Sequence, residues 1–92
     1  MQDSGEPPVA LPKMDFATLI LSLSASAVAH LGVAPEPGAP APEKDLPLAR
    51  QTIDILELLQ EKTRGNLEPA EEELLRDALH DLHLKYVAAG SG

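Results

Sequence analysis

Between Gln51 and Leu75 the chain reads QTIDILELLQEKTRGNLEPAEEELL, which specifies a helix, a corner and a second helix. An apolar-periodic run ends at Lys62 and Arg64, and Gly65 then supplies the left-handed residue that closes a helix. Asn66 and Leu67 turn the corner, and Pro69 stands at a first helical position, where an N–H has no intrahelical partner to lose. Glu71, Glu72 and Glu73 follow in the first turn of the next helix, beside the positive end of its dipole. This pattern predicts an antiparallel helix hairpin. It specifies no activity.

The same punctuation divides the rest of the chain. Residues 1–14 carry Pro7, Pro8 and Pro12 with few large apolar groups, and read as a disordered arm. Asp15 caps an uncharged helix over residues 16–31, which Gly32 ends. Residues 32–44 form a linker containing Pro35, Pro37, Pro40 and Pro42. Asp45 caps a helix over residues 46–64, with Pro47 tolerated in its first turn. The third helix spans residues 69–88, and residues 89–92 read as a flexible tail. No period-2 strand pattern and no internal repeat occurs, so the fold class is all-α, with one helical domain over residues 15–88.

The connections between helices constrain packing unequally. About four residues separate helices two and three, which forces them to be antiparallel neighbours. The linker before helix two, at ~3.1 Å per residue when extended, spans roughly 40 Å. Helix one is free to dock on its own hairpin or on that of a second chain, and the sequence does not choose.

Helical wheels bear on assembly. Helix three has one stripe, Glu71, Leu75, Ala78, Leu79, Leu82 and Tyr86, opposite Glu73, Asp77 and His80. In helix two, Arg50, Asp54, Glu57, Glu61 and Arg64 share a charged arc that reads as solvated. Its apolar residues, Leu48, Ala49, Ile53, Ile55, Leu56, Leu58 and Leu59, spread more widely than one neighbouring helix covers. Helix one is uncharged from Phe16 to Leu31: Phe16, Leu19, Ile20, Leu23, Ala27 and Leu31 make one face, and Leu21 and Val28 another. Ser22, Ser26 and Ala29 add a strip of small residues. A helix that is apolar nearly all round is expected to be buried nearly all round. Leu21, Ala25, Val28, Ile55 and Leu58 are therefore the expected self-association surface, in a homo-oligomer expected to be a dimer.

Composition agrees. With 92 residues there is one small domain, of a size at which a single core supplies only ~3–5 kcal/mol. There is no cysteine to add a disulfide, and a cysteine-free chain suits a reducing compartment. Phe16 and Tyr86 are the only aromatic residues, so packing is aliphatic. The net charge of −8 is shared between the halves. Without a basic patch or stacking aromatics, nucleic acid is excluded as a partner.

Chemistry-bearing constellations are sparse. Ser26 and His30 form an i, i+4 pair, but a mid-helix backbone has no free N–H groups to stabilise an oxyanion. His30 reads as a core or capping histidine. His80 and His83, with Asp77 and Asp81 near, have the outline of a metal site but lack a third ligand at a defined spacing. Ordinary boundary residues are the expectation, with metal binding through His80 and His83 the remoter alternative. Pro37-Gly-Ala-Pro40 has PxxP spacing that a proline- and alanine-rich linker produces by chance. No motif asks for a cofactor, and no catalytic set emerges. The uncharged run from Phe16 to Pro35 approaches a bilayer's length, making membrane association through residues 16–31 the other alternative. Three serines, Gly32 and the lack of flanking Lys/Arg clusters argue against it.

At the level of whole strings, the chain resembles the bacterial domain of unknown function 1844. The residues that carry the resemblance are Phe16, Leu23-Ser24, Ala27, Leu31-Gly32, Leu48-Ala49, Ile53 to Leu56, Leu59, Glu61 to Leu67, Glu71-Glu72, Leu75, Leu79, Leu82 and Tyr86-Val87. Its most specific element is the IDxLxxLxEKTxGNL pattern, here Ile53 to Leu67. The resemblance implies a short, cytoplasmic, helical bacterial protein, and it carries over no catalytic or ligand residue. Glu68 departs from the Thr or Ser expected before the acidic turn, so the start of helix three is expected to fray. The corner motif Lys62, Thr63, Arg64, Gly65, Asn66 and Leu67 reads as a corner stitched by charge to Glu68, Glu71 and Glu72, with a recognition surface as the alternative. The functional expectation is a non-enzymatic, self-associating interaction module, with room for an unidentified protein partner.

Overall fold

The computed structural model describes residues 14–34 and 36–91, the side chain of Ser91 excepted. The expected disordered arm, apart from Met14, lies outside the described residues. Three helices follow one another: α1 (Phe16–His30), α2 (Leu46–Lys62) and α3 (Pro69–Ser91), with no strand among the described residues.

Each start is fixed locally. The Asp15 carboxylate accepts from the Thr18 N–H at 2.8 Å, and Asp45 accepts from the Leu48 N–H at 3.1 Å. Both satisfy donors that a helix start leaves orphaned. Helix α3 is capped in the opposite sense. The Glu71 carboxylate reaches back to accept the Glu68 N–H at 2.9 Å, the reciprocal half of a capping box. The fraying expected at Glu68 is countered by this bond.

The ends shift slightly from expectation. Helix α1 stops at His30, where Gly32 (φ 83°) donates to the Ala29 carbonyl and Val33 to that of Val28, closing a Schellman motif. Helix α2 stops at Lys62 rather than Arg64. Thr63 turns both its N–H (2.9 Å) and its Oγ1 (2.6 Å) onto the Leu59 carbonyl, and Gly65 has φ 86°. Helix α3 continues past Ala88 into the expected tail. There Ala89 packs against the core, and its carbonyl accepts from Lys44 Nζ at 3.2 Å.

All three helices touch one another. The core is Ile20, Ala27 and Leu31 of the α1 region, Ala49, Ile53 and Leu56 of α2, and Leu75, Leu79 and Leu82 of α3. Helix α1 thus docks on its own hairpin. The linker does not run straight: the Asp45 N–H bonds the His30 carbonyl at 2.7 Å, so its two ends meet. A Cβ on Gly32 would lie 3.3 Å from Lys44 Cβ, which shows how tightly the loop closes. Burial of α1 is also less complete than expected. Ser22, Ala25 and Ser26 face outward, a strip whose small and hydroxyl side chains tolerate water, and Leu21 beside them is a large apolar side chain left exposed.

Candidate functional site

Polar side chains gather where α2 meets α3. Arg50 Nη2 lies 2.8 Å from Asp54 and 3.2 Å from Glu57, and the other Glu57 oxygen accepts from His83 Nε2 at 2.9 Å. The Arg50 guanidinium also sits 5.8 Å from the Tyr86 ring centroid, within cation–π range. Glu57 and His83 each flank the apolar stripe of their own helix, and the antiparallel hairpin brings the flanks together. Sequence reasoning assigned both to solvent or boundary, because helix register is not written in residue spacing. Arg50, Glu57 and His83 keep roughly 40% of their side-chain surface exposed and Asp54 57%, so the cluster orients α3 on α2 at a gain of ~0–1 kcal/mol per pair.

The corner motif is built differently from expectation. Neither Lys62 nor Arg64 forms an ion pair with Glu68, Glu71 or Glu72. Backbone and hydroxyl bonds hold the turn instead, including Asn66 N–H to the Thr63 carbonyl at 2.8 Å. At solvent-exposed positions the entropy lost by long side chains offsets most of the Coulomb attraction, so such pairs add little to a turn already held by its backbone. Arg64 lines a hollow of about 320 Å³ with Gln60, Leu67, Glu72, Leu75 and Arg76.

The expected self-association residues fall into two places. Leu21 and Ala25 are exposed, and Ala25 and Val28 line a groove of about 380 Å³ between α1 and α3. Ser24 Oγ is buried at this groove without a hydrogen-bond partner among the described residues. Ile55 and Leu58 line neither hollow. They lie on the outer face of α2, 41% and 54% exposed, with Leu48 one heptad before Ile55 at 42%. Sequence reasoning missed Leu84 and Val87, which are also exposed on α3. Their place just beyond the Leu82/Tyr86 stripe was the available signal.

The two alternative readings find little geometric support. His83 is engaged with Glu57 while His80 is exposed, and no group of three candidate metal ligands occurs among the described residues. No described helix is long and apolar enough to cross a membrane. His30 is half-buried in the last turn of α1, where its carbonyl receives the Asp45 N–H.

Comparison with known proteins adds the family and no activity. Neither the curated proteins nor the solved structures contain a match to the chain. The family model described as "Domain of unknown function (DUF1844)" matches residues 13–88, which takes in all of α1 and α2 and nearly all of α3. The match covers well over half of the sequence, and this chain belongs to the DUF1844 family.

Proposed function

We propose that this protein is a non-enzymatic interaction module that works as a homodimer. The observation that carries the reading is the apolar surface left over after the bundle has closed. Leu48, Ile55 and Leu58 of α2 remain about half exposed although α1 and α3 both pack on that helix. A small domain gains by burying such a stripe against another molecule, and a second copy is always at hand. The non-enzymatic part is supported by the polar groups that do converge. Arg50, Asp54, Glu57 and His83 are engaged with one another at the α2–α3 seam, outside both hollows. The cysteine-free composition supports a reducing compartment such as the cytoplasm. Light scattering over a dilution series tests the assembly. The expected mass is twice that of the chain at micromolar concentration, and a folded monomer there would overturn the proposal.

A further inference from the structure

Leu48, Ile55 and Lys62 follow one another at seven-residue intervals on α2, with Gln51 and Leu58 three residues after the first two. All five are exposed. That spacing is the a/d seam of a two-helix coiled coil, two heptads long. Other faces of α2 are committed within the chain, since Ala49, Thr52, Ile53 and Leu56 are buried and Arg50 and Glu57 are engaged with one another and with α3, while Asp54 and Glu61 flank the exposed row. We infer that the occupant of this seam is α2 of a second copy, running antiparallel about a two-fold axis that passes between Ile55 and Leu58. The inference rests on the homodimer reading and gives it a geometry.

Charge decides the direction. Lys62 has no ion-pair partner among the described residues, although Lys85 and Arg50 both have one. A parallel pairing would set Lys62 against its symmetry mate at the same seam position. In the antiparallel pairing each Ile55 meets Leu58 of the other copy, and each Lys62 comes opposite Gln51, one turn from Asp54. The ammonium then gains an acceptor and a carboxylate, and the helix dipoles oppose one another. Asp54 also lies near Glu61 of the other copy. Its charge is already shared by Arg50 at 2.8 Å and would be shared again by the incoming Lys62. The same patch serves both copies, so the contact closes on itself and does not propagate.

The chain has no cysteine, which makes disulfide trapping clean. Gln51→Cys and Lys62→Cys are prepared as separate single variants of the full chain, one of them carrying a short affinity tag so that the two differ in mass, and each is confirmed as a dimer by light scattering. Under mild oxidation the antiparallel seam brings position 51 of one copy within disulfide reach of position 62 of the other. The expected result is a mixed disulfide when the variants are combined and none from either alone. Cross-linking of each variant with itself would establish a parallel seam and overturn the inference. Dimers that never cross-link would place the interface on another face, overturning the inference while leaving the homodimer standing. A wild-type monomer would remove both.

Discussion

Gly65 and Gly32 share a left-handed backbone for different reasons, and substitution separates them. At Gly65 a Cβ would meet nothing within 4 Å, so the cost of a side chain there is conformational alone. Gly65→Val is expected to lose ~1–3 kcal/mol, because a β-branched residue is strongly disfavoured at positive φ. Gly65→Asn is expected to lose less, since Asn tolerates that region. Denaturant melts measure both, and equal midpoints for wild type and the valine variant would contradict the corner as described. At Gly32 the same φ is joined by Lys44 Cβ at 3.3 Å, so even alanine must move the loop. Asp15 makes a pH prediction. Its bond from the Thr18 N–H holds the carboxyl below its ordinary value of 3.8. A lowered carboxylate stabilises the fold above that ordinary value, and the contribution is lost as pH falls through the lower, folded one. Asp15→Asn keeps an acceptor that does not titrate. Its helicity by circular dichroism should therefore fall less steeply than wild type below about pH 4. Parallel acid limbs would remove the cap from the account.

At the scale of elements, burial ranks the leucines of α3. Leu75 is fully buried and Leu84 is 60% exposed. Leu75→Ala should cost ~2–5 kcal/mol through lost burial and the cavity left behind, and Leu84→Ala within ~0.5 kcal/mol. Comparable losses in chemical melts would mean that the stripe is misassigned. Element identity was legible because its signals are local: Asp15 and Asp45 cap, Gly32 and Gly65 close, and Pro69 opens. The Glu57–His83 contact was not legible, since it depends on the axial offset of two helices. The reversed cap at Glu71 was half legible. The acidic turn was evident, but which carboxylate would reach Glu68 depended on rotamers. Proline content suggested an extended linker, whereas the bond from Asp45 to His30 folds it back.

For the molecule as a whole, three helices around a nine-residue core settle a question that a thirteen-residue linker left open. Helix α1 closes the bundle within its own chain. The apolar surface left exposed is then shared among the helices, with Leu21 on α1, Leu84 and Val87 on α3, and Leu48, Ile55 and Leu58 on the outer face of α2. The expected association surface divides accordingly, with Leu21 exposed on α1, Ala25 and Val28 lining the α1–α3 groove, and Ile55 and Leu58 on the outer face of α2. Glutamate at exposed positions tests the two places without touching the core. Leu21→Glu should leave both fold and assembly unchanged. Sedimentation of an Ile55→Glu/Leu58→Glu variant beside wild type, with helicity followed by circular dichroism, probes the outer face of α2 itself. Wild type is expected to sediment as a dimer and the variant as a monomer with its helicity retained. A variant that remains dimeric, or a wild type that is monomeric at micromolar concentration, would contradict a dimer built on that face.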